Sequence, residues 1–200
     1  VGVEGSILRQ QKNPCPSSHP KALFPLGDGQ GGILHREIFV PGPVEHQFVK
    51  EIGYVNLFPL LLRILAPSSP HLSALMTTIR DPQHLWSPYG ILSLSKSSRF
   101  HERGNAPGDA PYWRGAIWIP INYLTVSALY YYAGVEGPYK GQAKALYDEL
   151  RNNLIRNMFS EYKRTGYLWE QYNSKTGKGQ RSHPFTGWSA LIVSIMAERY

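Results

Sequence analysis

The 200-residue sequence has little cysteine, no metal-binding histidine pair and no motif of a covalent hydrolase. Its single cysteine, Cys15, excludes a disulfide framework and a cysteine-based zinc site. Its seven histidines never fall into the H-x-x-x-H or H-E-x-x-H spacings of zinc hydrolases. No G-x-S-x-G occurs, and the glycine-rich GDGQGG at 27–32 lacks the Lys-Ser/Thr of a phosphate loop. The sequence therefore predicts neither a metal nor an organic cofactor.

Charge is also scarce, since charged residues make up 18% of the chain, below the usual quarter. The net charge of +7 is compatible with nucleic-acid binding, but the basic residues are scattered with no run of five. The densest basic group, Lys175, Lys178 and Arg181, lies in a glycine-rich turn. The pattern predicts a solvated basic surface and no nucleic-acid partner. The longest apolar run, 57–62, contains Pro59 and is too short to span a bilayer.

What the chain does contain is a sizeable apolar fraction, 42%, and an excess of aromatic residues, 12%, with 13 Tyr and 5 Trp. The apolar fraction is sufficient for a folded core. Tyr and Trp, whose aromatic rings carry a polar group, are common in clefts and at hydrated interfaces.

Two regions of different composition are predicted. Residues 1–47 are dense in Pro, Gly and Ser, which indicates an irregular segment with one short strand at 33–40. From residue 48 the apolar spacing is helical. Helices are expected over 48–65 with a kink or a new first turn at Pro59, 69–80 with Ser69 as N-cap, 117–134, 137–166 with Gly166 as C-cap, and 185–200. The result is an all-α pattern of paired helices separated by two long loops.

The first loop contains LWSPYG, 85–90, whose Ser-Pro and Pro-Tyr-Gly steps form a turn that presents Trp86 and Tyr89. These rings are candidates for stacking on a sugar. The alternative is that they pin the loop onto the core, and the residues alone leave both interpretations open.

The same loop continues into a cluster of polar and aromatic residues. Trp113 and Trp118 are candidates for stacking on a pyranose ring. Arg114 is a candidate for holding a ligand or for binding a carboxylate bidentately and lowering its pKa. The alternative is a buried ion pair between Arg114 and Asp109 that fixes the loop.

A third segment, GYLWEQY at 166–172, sets Glu170 among aromatic residues just beyond a helix. Glycoside hydrolysis uses two carboxylates, one of which activates water or attacks the sugar. Glu170 suits the general base because Trp169 and Tyr172 could partly desolvate it. The alternative is a surface glutamate with its stem against Trp169.

These segments resemble the C-terminal end of the catalytic domain of glycoside hydrolase family 63 from about Phe48 to Tyr200. The strings that carry the resemblance are GYVNLFPLLLRIL, HLWSPYGILSLSKSS, APYWRGAIWIPINYL, GYLWEQYNSKTGKGQ and HPFTGWSALIVSIMAERY. The resemblance implies part of an (α/α)6 toroid. It also implies inverting hydrolysis of the terminal α-1,2-linked glucose of the glucosylated N-glycan precursor, in the endoplasmic reticulum lumen.

The resemblance assigns the general base to Glu170 of WEQY. It places the YWRG and WSPYG loops around the pocket, and the residues predicted to bind substrate are Trp86, Tyr89, Asp109, Tyr112, Trp113, Arg114, Trp118, Trp169 and Tyr172. It assigns the general acid to an aspartate upstream of these motifs. Because the sequence begins at Val1, we expect it to be a fragment of a longer protein whose membrane anchor is N-terminal.

Two other functions fit the residues. A non-catalytic carbohydrate-binding module would keep the aromatic loops without turnover, and a structural helical protein would bind no sugar.

Overall fold

The computed structural model of the chain describes Ser6–Leu8, Ala22–Gly27, Ile33–Ile38 and 46–200 except residue 107. The chain divides between Val49 and Lys50 into two compact units. Cys15 and most of the segment predicted as irregular over 1–47 lie outside the described residues. The assignment of 1–47 and 48–200 as separate domains stays a prediction.

The N-terminal unit contains two antiparallel strand pairs. Strand β2 (Ala22–Gly27) pairs with β3 (Ile33–Ile38), with Ala22 opposite Ile38. Strand β1 (Ser6–Leu8) pairs with β4 (His46–Phe48). The predicted strand at 33–40 is confirmed over Ile33–Ile38. The rest of this segment was predicted to be irregular, which is wrong for β1, β2 and β4. Proline and glycine are uncommon inside strands, so their high content argued against strands here.

The second unit begins with a helix pair. Helix α1 (Tyr54–Leu61) follows Gly53, whose N–H donates to the side chain of Asn56. Helix α2 (Pro70–Arg80) has Ser69 at its N-cap position and proline in its first turn, as predicted. The helix predicted over 48–65 is shorter at both ends: it begins after Gly53 and ends at Leu61, two residues after Pro59, which cannot donate a helical hydrogen bond.

Helices α3 (Ile119–Gly134) and α4 (Lys140–Thr165) pack against each other across a short connection. Apolar residues on α4 at helical spacing are buried, as the helical apolar spacing of the sequence predicts, whereas Tyr162 is half exposed. Gly166 ends α4 with φ 78°, a left-handed conformation that glycine adopts without strain. The last elements are a 3₁₀ turn (Trp188–Ala190) and helix α5 (Leu191–Met196), shorter than the helix predicted over 185–200.

Two short hairpins occupy the long loops between the helices. Strands β5 (Trp86–Ser87) and β6 (Gly90–Ile91) follow α2, and strands β7 (Gln171–Tyr172) and β8 (Gly179–Gln180) follow α4. Isolated bridges join Leu92 to Ile117 and Ile117 to Tyr172. The described secondary structure from residue 50 onward is thus mostly helical, as predicted, and the loops carry the small sheets.

Asn122 on α3 is the central polar residue of the core and is fully buried. Its side-chain oxygen accepts from the Ile91 N–H at 2.9 Å. Its amide nitrogen donates to the carbonyl oxygens of Ile91 and Trp118 and to the Tyr54 hydroxyl. One amide therefore ties α1, the β5–β6 hairpin and the start of α3 together.

Replacing Asn122 with leucine should destabilise the chain by roughly 2–4 kcal/mol, because the buried N–H of Ile91 loses its acceptor, whereas the Ile91 carbonyl keeps the Tyr54 hydroxyl as a donor. Urea unfolding followed by circular dichroism measures the change. The matched control is Asn152→Leu on the exposed side of α4. Equal midpoints for the two variants would contradict the assigned role of Asn122.

Candidate active site

Two loops that are distant in sequence meet beside β7. The N–H of Ile117 donates to the Tyr172 carbonyl at 2.9 Å, and the N–H of Tyr172 donates to the Ile117 carbonyl at 3.0 Å. This reciprocal pair is typical of antiparallel strands. It brings the YWRG loop, which precedes Ile117, next to the WEQY segment, which contains Glu170.

Glu170 lies at this junction with its side chain largely buried, at 8% exposure. Its Oε1 accepts a hydrogen bond from the Tyr112 hydroxyl at 2.7 Å, and its Oε2 accepts from the Ser182 N–H at 3.3 Å. Its backbone is also fixed, because its N–H donates to Ser182 O and its carbonyl accepts from Trp188 Nε1. The carboxylate is thus held in one orientation from both sides.

The Tyr112 hydroxyl, by donating to the carboxylate, holds the pKa of Glu170 below its usual value. Burial opposes this shift, while the contacts with Ser182 and the charge of Arg181 add to it. The same hydrogen bond raises the pKa of the Tyr112 phenol, because ionising Tyr112 would remove the donor and set two anions side by side. Near neutral pH the pair is therefore a neutral phenol and an ionised carboxylate.

Arg181 lies against Tyr112, the donor of the hydrogen-bonded Tyr112–Glu170 pair. Its guanidinium lies 4.4 Å from the centre of the Tyr112 ring and donates to the Pro111 carbonyl at 2.8 Å. Its backbone φ is 66°, a left-handed conformation that few residues other than glycine adopt. In this backbone conformation the guanidinium of Arg181 lies over the Tyr112 ring, whose hydroxyl binds Glu170.

A layer of aromatic rings adjoins the carboxylate. Trp113 and Trp118 stack with centroids 3.9 Å apart and planes at 10°, and Tyr112 meets Trp118 edge-on at 4.8 Å. Trp188 lies 5.7 Å from Trp118 and is itself covered by Phe185. Trp113 is 44% exposed whereas Trp118 has no exposed surface. Of the two predicted stacking rings, only Trp113 can therefore meet a ligand, and Trp118 supports it from beneath.

The two predicted aromatic neighbours of Glu170 have structural contacts. Trp169 packs its ring on Gly179, where a Cβ would come within 2.0 Å, and stacks on His183 at 3.8 Å. Tyr172 is fully buried, and burial raises the pKa of its phenol to about 12. A buried ring cannot stack on a sugar, so the prediction that Tyr172 contacts substrate is corrected by its place in the core.

Trp86 and Tyr89, the candidate sugar-stacking rings of the LWSPYG loop, do not belong to the aromatic layer beside Glu170. Trp86 is 6% exposed, belongs to the core, and packs under the guanidinium of Arg80 at 4.6 Å. Tyr89 packs against the Gly177 turn and lines a separate cavity beside α4. For Trp86 the structure favours the interpretation that the ring fixes the loop.

Asp109 and Arg114 do not form the ion pair that the sequence suggested as an alternative. Asp109 is exposed, and its carboxylate accepts from the Ala106 N–H at 3.1 Å. Arg114 donates to the carbonyl oxygens of Arg103 and Gly104 at 3.1 and 2.9 Å and, among the described residues, pairs with no carboxylate. Among the described residues its Nη1 thus meets backbone oxygens, and the expectation that Arg114 holds a ligand stays a prediction.

Sequence reasoning missed several residues that contact Glu170 or its surroundings, namely Arg181, Ser182 and Trp188. Trp188 could have been noticed in FTGWSAL, as the only tryptophan left without a proposed role. Ser182 acts through its backbone, which no residue type reveals. Arg181 was visible only as a member of the densest basic group, which the sequence analysis interpreted as solvated surface.

A cavity of about 510 Å³ is lined by Arg181 and not by Glu170. Among the described residues, no three His, Cys, Asp or Glu side chains converge as a metal site would need. In the described part of the chain, no helix has the length and apolar character needed to span a membrane.

The sequence and the fold both match known proteins. The glycosyl hydrolase family 63 C-terminal domain matches residues 27–198. Mannosyl-oligosaccharide glucosidase GCS1 of Arabidopsis thaliana is 47% identical over 173 residues, which cover 86% of this chain and 20% of that protein. The probable mannosyl-oligosaccharide glucosidase of Schizosaccharomyces pombe is 47% identical over 149 residues, covering 74% and 18%.

Among solved structures, the GH63 mannosylglycerate hydrolase from Thermus thermophilus in complex with glucose superposes with a TM-score of 0.51 and 21% identity. The match covers 76% of this chain and 32% of that one. It shows that the helices of this chain are arranged as in part of a family 63 α/α toroid, the fold predicted from the sequence. The chain spans about a fifth of the length of the curated relatives it matches. On this agreement of sequence and fold, the chain belongs to glycosyl hydrolase family 63, and its match is to the C-terminal domain of that family.

Proposed function

We propose that this chain supplies the general base and part of the sugar pocket of an inverting glucosidase. The substrate is the terminal α-1,2-linked glucose of the glucosylated N-glycan precursor. Support comes from family membership and from two relatives named mannosyl-oligosaccharide glucosidase. We also propose that the full-length protein works in the endoplasmic reticulum lumen, anchored to the membrane through its N-terminal part, since that is where such precursors are processed in the family it resembles.

The observation that carries the proposal is the state of Glu170. It is a largely buried carboxylate whose pKa is lowered by the Tyr112 hydroxyl, and an exposed tryptophan, Trp113, stands in the same aromatic layer. A general base must be ionised at working pH and fixed in orientation, and Glu170 meets both conditions. Trp113 offers the apolar ring face on which a pyranose can stack.

In the proposed reaction, Glu170 removes a proton from a water molecule while the water oxygen attacks the anomeric carbon. A carboxylic acid on the opposite face of the sugar protonates the departing glycosidic oxygen, so that the configuration inverts. The two carboxyl groups of such enzymes lie about 6.5–9.5 Å apart to leave room for the water. The family resemblance assigns that acid to an aspartate upstream of these motifs, and Asp109, engaged in its own turn, does not take its place.

Glu170→Gln in the full-length protein should lower kcat by roughly 10²- to 10⁴-fold, because the amide cannot accept the proton of water. Affinity for glucose, a neutral ligand, should fall far less than kcat, since the amide keeps the size of the acid and one of its two acceptor oxygens. The measurement is turnover of the glucosylated oligosaccharide together with calorimetric binding. Glu136→Gln, at an exposed acid on the α3–α4 connection, is the control.

Unchanged turnover in Glu170→Gln would rule out the base assignment. Binding of sugar by a wild-type protein that turns over no substrate would favour the carbohydrate-binding module. Absence of any iminosugar binding would leave only the structural role.

Tyr112→Phe should move the acidic limb of the pH profile of kcat/KM to higher pH. The native pKa of Glu170 is lowered, so the base stays ionised, and the enzyme active, down to a pH below the usual glutamate value of about 4.3. Without the hydroxyl, the main cause of that lowering is lost, and the base becomes protonated at higher pH.

The control for this profile is Tyr162→Phe, at a half-exposed tyrosine on α4. The pH profile of kcat/KM reports the pKa values of the free enzyme. An acidic limb that stays in place in Tyr112→Phe would show that the hydroxyl does not control the base.

A further inference from the structure

A separate cavity, of about 340 Å³, is lined by the C-terminal half of α4 and by the turn between β7 and β8. Glu170 does not line it, so it is distinct from the candidate active site. The lining residues that decide its chemistry are Arg156, Asn157, Glu161 and Arg164 of α4 and Lys178 of the turn.

Helical spacing and a glycine in the turn bring these side chains together. Asn157, Glu161 and Arg164 follow one another at intervals of four and three along α4 and therefore lie on one face of the helix. Gly177 lies directly against that face, because a Cβ there would come within 2.1 Å of Asn157 Oδ1. Its φ of 71° is also left-handed, a conformation that glycine adopts without strain. Lys178, the next residue, is thereby placed beside the helix.

The carboxylate that lines the cavity already has a partner. Arg164 donates to Glu161 from Nε at 2.9 Å and from Nη2 at 2.6 Å, which is a bidentate ion pair. The N–H of Gly179 donates to the same carboxylate at 2.8 Å. The hydrogen bonds from Arg164 hold the pKa of Glu161 below its usual value, so this group stays ionised. Glu161 therefore balances one cation directly.

Two further cations line the cavity without a direct partner. Arg156 and Lys178 are exposed, and in the described part of the chain neither side chain forms an ion pair or a hydrogen bond. Lys178 acts on Glu161 through its charge alone, which adds to the lowering of the pKa of that carboxyl. Three cations thus face one carboxylate, and the cavity keeps an excess of positive charge.

The amide of Asn157 points to the same kind of ligand. The residue is 9% exposed, and its Nδ2 has no acceptor among the residues that the structure describes. Buried donors without an acceptor are rare in folded proteins. A ligand oxygen in the cavity would supply the missing acceptor. Arg156 and Lys178 favour the same type of atom, because guanidinium and ammonium groups donate hydrogen bonds and accept none.

These groups suit a small anion that is rich in oxygen atoms. A cation would be repelled by the excess positive charge, and a neutral sugar would leave that charge uncompensated. Phosphate and sulfate accept several hydrogen bonds at once and pair well with arginine and lysine. A nucleic acid would need a longer row of cations along its backbone than this cavity offers.

We propose that this cavity is a binding site for a small oxyanion, phosphate or sulfate, held by Arg156 and Lys178 and hydrogen-bonded by the amide of Asn157. The bidentate pairing of Glu161 with Arg164 leaves the other two cations free for the anion. The site lies outside the candidate active site and does not depend on the proposed function.

Calorimetric titration of the full-length protein with inorganic phosphate at low ionic strength tests the site. The wild type should bind phosphate saturably, and added sodium chloride should weaken this binding because salt screens exposed charges. Arg156→Gln and Lys178→Gln should each weaken phosphate binding by roughly three- to tenfold, the effect of one charge-assisted hydrogen bond lost at an exposed position.

Arg199→Gln is the matched control, because it removes the same charge at an exposed position that does not line the cavity, and it should retain wild-type affinity. Thermal melting verifies that each variant keeps its fold, which the exposure of Arg156 and Lys178 favours. Absence of saturable phosphate binding in the wild type would overturn the site. Equal affinities of Arg156→Gln and Arg199→Gln would overturn it too, since the phosphate would then be bound elsewhere, for example at Arg181.

Discussion

The reciprocal backbone hydrogen bonds between Ile117 and Tyr172 are the constraint on which the candidate site depends. Each of these residues is fully buried and adjoins a site segment, one after YWRG and the other within WEQY. This pairing brings the two segments together. The Tyr112 hydroxyl then reaches Glu170 across them.

The site combines a rigid support with one exposed surface. Trp118 and Trp188 are packed beneath or beside the exposed Trp113, and Asn122 anchors the start of α3 just behind them. Such support restricts the motion of the groups that would meet a substrate, which catalysis by positioning requires. The buried rings contribute to function indirectly, by holding the exposed ring and the carboxylate in place.

Glu170, Tyr112 and Arg181 form a series of contacts that sets the electrostatics of the site. The carboxylate of Glu170 accepts from a neutral phenol, the phenol lies under the Arg181 cation, and that cation is held by a backbone carbonyl. An ionised carboxylate with these neighbours needs no direct salt bridge, which would bind it more tightly and weaken it as a base.

The sequence by itself determined the helices α2, α3 and α4, the Gly166 terminus and the family, and it singled out Glu170 as the candidate base, because these depend on local spacing, capping residues and rare tryptophan-containing strings. Only the tertiary structure decided which aromatic residues are exposed, that Arg114 binds carbonyl oxygens, and that Arg181 lines the same cavity as the amides of Gln171 and Gln180. These facts depend on burial and on pairing between distant segments. A ring or an amide has the same letter in the sequence whether it is packed inside or faces a ligand.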